Sequence, residues 1–500
     1  MRPAMVIAAV ILYFAVILGA SLALSRKGSS SDFFRGSGRS PWPVVAIAMV
    51  GTSISGVTFV SVPGMVAASE FSYLQMALGF IAGYAVIAYV LLPLYYSRRM
   101  NSLYCYVEER FGAWSYHTSA AFFLLSKVLG CGVKMYLTAT VLQLVLFAPL
   151  GIPFWLNIAL TMLIVYLYTF RGGVRTLVWT DMLQTLCMIG AVVLSIVFIG
   201  KGMGLDIGGI CNTVRDSGMT RMWFFDDPSD TRYFWKQFLA GMFTTIAMTG
   251  LDQDMMQKNL SCRSLHQSRK NMLSYGVAFV PVNFLFLCLG VLLYSFAASR
   301  GIQVSRPDDL FPTIACGSPG QGTAPYMPPA VSLLFVLGLI SSAFSSSGSS
   351  LTSITTSVTV DLLRADRRLP EQRLRRVRSA VHIAAAAVMG VVIAAFRLIG
   401  SESVINAVYT VASYTYGPLL GLFAFGIFTR RRVLDKAVPF ICTAAPLLCL
   451  MLATHSEQWF GWKIGFELLI INALLTFIGL AAFSLRPGRT DLPVIRHSRG

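Results

Sequence analysis

Charged side chains are scarce in this 500-residue sequence. Asp, Glu, Lys and Arg together make up 12% of it, whereas hydrophobic residues make up 55%. Soluble domains carry about 25% charged residues, which keep their surfaces in water. The scarcity excludes a soluble protein with a single core. Apolar runs of about 20 residues instead predict an all-α polytopic membrane protein.

Motifs of hydrolytic and nucleotide chemistry are also missing from the sequence. It contains no HExxH, no GxSxG and no glycine-rich phosphate loop, and its nine cysteines include no CxxC pair. No loop is long enough for the nucleotide domain that a primary pump requires. We therefore expect neither an enzyme nor a pump, but a protein that an ion gradient drives, or a channel.

The excess of basic residues follows the predicted topology. The formal net charge is +18, and Arg and Lys recur in every second loop, from Arg26 and Lys27 after the first apolar run to Arg499 near the chain end. Basic loops stay in the cytoplasm. The pattern predicts an integral protein of the plasma (bacterial inner) membrane with an external N-terminus and a cytoplasmic C-terminus. It argues against nucleic acid as a partner.

Two apolar runs are interrupted by small and polar residues that form helices poorly. GTSISGVTFVSVPG (51–64) opens one set of five runs, and AMTGLDQD (247–254) opens a second set. Paired broken helices indicate the inverted repeats of transporters, although Gly and Ser also let helices pack closely. We predict one domain (1–500) with about 13 spans: an extra helix (3–25), two repeats (43–200 and 233–428), two last helices (433–485) and a cytoplasmic tail (486–500).

The stretch SSAFSSSGSSLTSITTSVTVD (341–361) places many hydroxyls in the middle of a long apolar run. At helical spacing, Ser342, Ser345, Ser346 and Ser349 fall on one face. Neutral, hard oxygens are the ligands that a dehydrated sodium ion needs. Membrane Ser and Thr also bond back to their own helix or join helices, but this density favours ion binding.

Charged residues within apolar runs are candidates for function because they are costly there. Asp181 is one of them, although it could simply cap its own helix. Lys134 lies deep in the long run 115–146. Lys127, on the same run, is expected to snorkel towards the cytoplasmic surface.

Two groups of residues are candidates for gates. Asp252 and Gln253 follow the second break, where a carboxylate could pair with nearby cations as an inner gate or form ordinary surface pairs. The aromatic residues Phe243 and Tyr409 could close the cavity, although aromatic residues in membrane helices more often serve packing.

Cys211 and Cys316 are the cysteines that fall in the two long loops predicted to face outwards. An oxidising compartment would allow these two thiols to pair. We therefore predict a disulfide between them.

Five segments, in order along the chain, carry a resemblance to a known family. GTSISG, GGVRTLVWTDMLQ, TGLDQDMMQKNLSCRS, FSSSGSSLTSITTSVTVDLL and SYTYGPLLGLFAFGI resemble signature segments of the sodium/solute symporter family. Members carry sugars, proline, sialic acid, monocarboxylates, vitamins or iodide. The resemblance spans roughly residues 26–430. It implies a LeuT-type five-plus-five inverted repeat with about 13 transmembrane helices.

The resemblance also implies two sodium sites. The common site of the family corresponds to the carbonyls of Gly51, Ile54 and Ser342 and the hydroxyls of Ser345 and Ser346. A second site, seen in the sialic acid branch, would use Asp181, Ser345 and Ser349. The chain departs from that second pattern because Gly348 stands where a further hydroxyl is expected.

The resemblance says less about the solute. Hydroxyls at the first break resemble those that the sialic acid branch offers to a carboxylate, and a lysine of the run 115–146 would be the counter-charge. A hexose pocket is poorly supported, because the positions matching the gate and polar groups of sugar carriers hold other residues. The predicted substrate-binding residues are Ser53, Ser55, Thr58, Gln75, Lys134, Thr245 and Met248.

These features together predict a sodium-coupled secondary active symporter that imports a small organic solute by alternating access and functions as a monomer among membrane lipids. An anionic solute is favoured, such as a sialic acid or a monocarboxylate. Two alternatives stay open. One is a proton-coupled carrier with Asp181 as its relay, and the other is a transport-inactive solute sensor with the same fold.

Overall fold

The computed structural model of the protein describes residues 3–25, 40–98, 102–170, 173–304, 306–317, 325–399, 404–462 and 464–485. The basic segment 26–39 and the predicted cytoplasmic tail 486–500 lie outside the described residues. Nearly all regular structure within the described ranges is helical. A two-residue strand, Arg432–Val433, pairs antiparallel with Ser484–Leu485. The all-α prediction is confirmed apart from this short ladder.

The helices of the first half of the chain follow the predicted apolar runs. They are α1 (Pro3–Ser25), α2 (Trp42–Ser53), α3 (Gly56–Ser69), α4 (Tyr73–Val86), α5 (Leu92–Arg98), α6 (Cys105–Arg110), α7 (Ala113–Leu142), α8 (Phe154–Thr169), α9 (Gly173–Gly202) and α10 (Ile207–Asp216).

The second half begins with another interrupted helix. Its helices are α11 (Phe234–Thr245), α12 (Gln253–Leu260), α13 (Leu265–Arg300), α14 (Leu310–Cys316), α15 (Pro329–Thr356), α16 (Ala365–Arg368), α17 (Glu371–Ile399), α18 (Val404–Phe428), α19 (Val438–Phe460) and α20 (Leu468–Ala482).

Short irregular turns extend several of these helices. Turns of π-helix follow α4, α7, α11 and α15 at Ile87–Leu91, Gln143–Phe147, Ile246–Gly250 and Ser357–Leu362. Turns of 3₁₀-helix occur at Ala148–Leu150, Pro307–Asp309 and Asp435–Ala437. π-turns often mark functional sites because they shift side chains out of helical register.

Eight of the described helices are long and apolar enough to cross a membrane, and the bent pair α2 and α3 would make nine. The predicted extra helix (3–25) coincides with α1, and the long run 115–146 lies on α7 and the π-turn that follows it. The positions of these two runs are therefore confirmed. The number of membrane crossings and the division into two repeats stay predictions.

Helix α15 lies at the centre of the packing. It contacts α2, α3, α7, α9 and α12, and α7 in turn packs against α18. Most of α15 is buried, including its hydroxyl-rich stretch. Polar side chains at membrane depth are tolerated where protein surrounds them. The fold thus places the hydroxyls against the broken helix rather than against lipid.

Candidate functional site

The first predicted break separates α2 from α3. Their axes differ by 61°, and the two connecting residues, Ile54 and Ser55, have extended backbone with ψ angles of 94° and 175°. The carbonyl of Val50 still accepts from the Ile54 N–H at 2.9 Å, and the Ser55 carbonyl accepts from Phe59 at 3.2 Å. A helix end leaves its last carbonyls without intrahelical partners. The break therefore makes backbone oxygens available for an ion.

Gly51 lets α2 approach α9 closely. A Cβ atom at this position would lie 1.8 Å from Oγ1 of Thr185. The Thr185 hydroxyl itself donates to the Ile47 carbonyl of α2 at 3.0 Å. This contact fixes the position of the helix end that carries the Gly51 carbonyl.

The hydroxyl face of α15 packs against this break. Ser342, Ser345 and Ser346 are all buried, and α15 contacts both α2 and α3. The Ser342 hydroxyl donates to the Leu339 carbonyl at 3.0 Å, whereas Ser345 Oγ has no hydrogen-bond partner among the described residues. A buried hydroxyl without a partner costs about 1–3 kcal/mol. A sodium ion bound here would satisfy the Ser345 oxygen, so the residues fit the ion, and the five-ligand assignment stays a prediction.

The residues predicted for a second sodium site surround an ammonium group instead. Lys258 Nζ lies 2.6 Å from Asp181 Oδ2, and it also donates to the hydroxyls of Thr52 and Ser349. Ser349 Oγ lies 3.1 Å from the same carboxylate oxygen. Lys258 does not belong to a solvated basic loop, because its side chain is only 1% exposed.

Gly348 departs from the sialic acid pattern for a steric reason. A Cβ atom at this position would lie 1.9 Å from the Tyr168 hydroxyl, which donates to the Phe344 carbonyl. The tyrosine on α8 therefore fills the space where a further hydroxyl was expected.

Gly348→Ala is expected to destabilise the fold by about 1–3 kcal/mol, because the buried Tyr168 ring must move. The melting temperature of the purified protein in detergent measures this loss. Gly390→Ala on α17 is the matched control, since its new Cβ atom would meet neighbours only at 3.7 Å or more. Equal melting temperatures for the two variants would contradict the steric explanation.

A cavity lies between the two broken helices. Most of the predicted substrate residues line it, namely Ser53, Ser55, Thr58, Lys134, Thr245 and Met248, and so do Ser346, Asp252 and Tyr409. The structure thus brings together residues that are up to 356 positions apart in the chain, from Ser53 to Tyr409.

Three predicted residues do not line this cavity: the substrate assignment of Gln75 is corrected, and the gate assignments of Gln253 and Phe243 stay predictions. The Gln75 side chain holds the loop between α10 and α11: it donates to the Arg232 carbonyl at 2.8 Å and accepts from Phe224 N–H at 3.2 Å. The Gln253 side chain accepts from Leu103 N–H at 3.1 Å. Phe243 packs, half-buried, against the apolar core, as aromatic membrane residues commonly do.

An ionic cluster lines one part of the cavity wall. Lys127 Nζ lies 3.0 and 2.9 Å from the two carboxylate oxygens of Asp252 and 2.9 Å from Asp254 Oδ2. The Tyr416 hydroxyl donates to Asp252 Oδ2 at 2.5 Å. Asp252 also caps α12 by accepting from the N–H groups of Asp254 and Met255. The snorkelling prediction for Lys127 is therefore wrong, since its side chain is 13% exposed and points inwards.

Lys134 differs from the other two lysines of the site. It lines the cavity, and within the described ranges it has neither an ion pair nor a hydrogen-bond acceptor for its ammonium group. A buried charge is costly unless it is paired. This lysine therefore leaves an amino group without a partner to whatever enters the cavity.

Tyrosine hydroxyls connect the cavity walls. Tyr84 donates to the Tyr275 hydroxyl at 2.8 Å, and Tyr275 also bonds to Ser53. Tyr73 and Tyr409 hydroxyls lie 3.0 Å apart. Of these four tyrosines, the sequence predicted only Tyr409. A single aromatic residue in an apolar run gives no local indication of which residue it contacts.

Comparison with known proteins places the chain in a family. The profile of the sodium:solute symporter family matches residues 33–437. The chain belongs to the sodium:solute symporter family. The resemblance of the signature segments to this family is therefore confirmed. The protein is a multi-pass membrane transporter, and its coupling ion is sodium.

Relatives that match most of this chain include a sialic acid symporter and a monocarboxylate transporter. The sodium/sialic acid symporter NanT of Aliivibrio fischeri is 26% identical over 484 residues, which cover 92% of this chain and 91% of the relative. The human sodium-coupled monocarboxylate transporter 1 is 26% identical over 446 residues, covering 87% and 68% of the two chains.

Solved structures confirm the predicted fold of the symporter. A sodium-coupled sialic acid symporter in a substrate-bound, outward-open state superposes with a TM-score of 0.76 at 20% identity, covering 96% of this chain and 99% of that one. A nucleobase-cation-symport-1 family transporter in a closed state matches with a TM-score of 0.51 at 14% identity, covering 90% and 93%.

The predicted disulfide of the symporter is not formed, since Cys211 and Cys316 are both free. Cys211 is exposed on α10, which packs against α13. Cys316 ends α14, which packs against α3, α13 and α15. Sharing one side of the membrane does not bring two thiols within the few ångströms that a disulfide requires.

Proposed function

We propose that this symporter imports a small organic carboxylate together with sodium. The observation that carries the proposal is the ammonium group of Lys134, which lines the cavity without a carboxylate partner among the described residues. The other two lysines of the site, Lys127 and Lys258, are paired with aspartates. An anionic solute would neutralise the remaining charge as it enters.

The chemistry of the cavity wall supports the same class of solute. Ser53, Ser55 and Thr58 place hydroxyls on the same cavity as the lysine, and hydroxyls donate to carboxylate oxygens. Relatives named for sialic acid and for monocarboxylates agree with an anion. The positions that match the gate and polar groups of sugar carriers hold other residues, among them Thr245 and Met248.

Sodium would couple to this solute through the broken helix. An ion held by carbonyls of Gly51 and Ile54 and by hydroxyls of α15 would fix the break against the central helix. Binding energy that is available in only one conformation shifts the population towards it. We propose that sodium favours the outward-open state, and that the Lys127, Asp252 and Tyr416 cluster is the inner gate that must open for release.

The topology follows from the basic loops. We propose about 13 spans with the N-terminus outside and the C-terminus in the cytoplasm, because the basic residues recur in every second loop. We further propose that 43–200 and 233–428 are the two inverted repeats. A cavity built within one chain is consistent with a monomer as the functional unit.

A thermal-shift screen of the purified symporter tests the solute class. Sialic acid, lactate, proline and glucose are each added with and without sodium. A carboxylate at 100 times its dissociation constant should stabilise the protein by about 2.7 kcal/mol, and mainly in sodium. Stabilisation by glucose alone would contradict the proposal. Uptake into proteoliposomes driven by a pH gradient without sodium would instead support the proton-coupled alternative.

A further inference from the structure

The buried ion pair between Lys258 and Asp181 joins four helices. Lys258 reaches from α12 to Asp181 on α9, Thr52 on α2 and Ser349 on α15. The side chains of both ionic partners are almost fully buried, at 1% and 0% exposure. Asp254 Oδ1, one turn away on α12, lies 3.9 Å from the same ammonium group.

These acceptors overlap with the set expected to hold a second sodium ion. Asp181 and Ser349 belong to both sets, and Thr52 adds a third oxygen. An ammonium group and a sodium ion carry the same single positive charge, and each seeks several oxygen acceptors at short range. A sodium ion at the expected second site would therefore compete with the Lys258 ammonium group for the same oxygens.

The remaining acceptors leave little room for another ion. Asp181 Oδ1 has no hydrogen-bond partner in the described part of the chain, but any cation bound there would lie beside the ammonium group that holds Oδ2 of the same carboxylate. Ser345, the other predicted ligand, also belongs to the first sodium site. Gly348 contributes no hydroxyl, because Tyr168 occupies its surroundings. The residues present do not fit a second sodium ion.

We propose that Lys258 replaces the second sodium ion as a permanent internal cation, so that this symporter binds one sodium ion per transport cycle. The proposal rests on the sodium coupling in the proposed function, but it is independent of which solute is carried. Asp181 then serves to anchor α12 to α9 and α15 rather than to bind a travelling ion.

Equilibrium binding of radioactive sodium to the purified full-length protein, without any solute, tests the proposal. We expect one sodium ion per wild-type protein molecule. Lys258→Ala removes the ammonium group and leaves Asp181, Thr52 and Ser349 facing a space, so this variant should bind two. Lys258→Arg keeps a positive charge at this position and should still bind one, so it is the matched control for the loss of charge.

Each outcome of this experiment has a distinct meaning. Two sodium ions on the wild-type protein would overturn the proposal, and this measurement requires no variant to fold. One ion on a folded Lys258→Ala protein, or two on Lys258→Arg, would also overturn it. Failure to find a transported carboxylate would leave the binding count unaffected, so it would count against the proposed function alone. No sodium binding by the wild-type protein would overturn both.

Discussion

Replacing Ser345 and Ser346 together with alanine is expected to raise the sodium concentration for half-maximal uptake at least tenfold. The double variant removes two of the five oxygens assigned to the sodium ion. A tenfold loss corresponds to about 1.4 kcal/mol. Uptake of radiolabelled solute into proteoliposomes, measured over a series of sodium concentrations at constant ionic strength, gives the half-maximal value directly.

Ser342→Ala is the matched control for this prediction. Ser342 would give the ion its carbonyl, while its hydroxyl already donates to Leu339. Alanine at this position keeps the carbonyl, so sodium activation should stay near the wild-type value. Unchanged sodium dependence in a well-expressed double variant would reject the assignment of the sodium site to this face of α15.

Lys134→Ala is expected to raise the half-saturating concentration of a carboxylate solute at least tenfold. A hydrogen bond to a charged group contributes about 1.5–3 kcal/mol, which corresponds to a factor of roughly 10 to 150. The sodium constant should change much less, because the lysine lies on α7 and the sodium ligands lie on α15, on α2 and at the break that follows α2. Lys134→Arg should retain part of the affinity, since the charge survives while its geometry changes.

Lys201→Ala is a suitable control for the loss of a lysine, because Lys201 is exposed at the end of α9. Solute titrations of uptake at saturating sodium separate the variants. Wild-type affinity for the carboxylate in Lys134→Ala would refute the role of this lysine. An equal loss in Lys134→Ala and Lys201→Ala would point to a general effect of charge on uptake instead.

Local sequence patterns predicted the parts of this site that depend on one helix. The breaks at 51–64 and 247–254 were visible because Gly, Ser and Asp interrupt apolar runs. The hydroxyl face of α15 was visible because serines recur at helical spacing. Both features appear in the structure where the sequence placed them.

Partners on different helices could not be predicted in this way. Lys127 and Asp252 are 125 residues apart, and Lys258 and Asp181 are 77 apart. Which cation meets which carboxylate depends on helix rotation and crossing angles, which local periodicity does not specify. One signal was available for Lys258: DQDMMQK places three charges within seven residues at the end of an apolar run, and such a cluster is costly there unless its members are paired.

The buried pair of Lys258 and Asp181 also limits how far the symporter could concentrate its solute. If one sodium ion travels with one monovalent anion, no net charge crosses the bilayer, and the membrane voltage neither helps nor opposes import. A tenfold sodium gradient, about 1.4 kcal/mol, would then support at most about tenfold accumulation. A second sodium ion would add its own concentration gradient and about 2.3 kcal/mol for every 100 mV of membrane potential. The internal lysine would thus make uptake independent of the cell's electrical state, in exchange for a lower accumulation ratio.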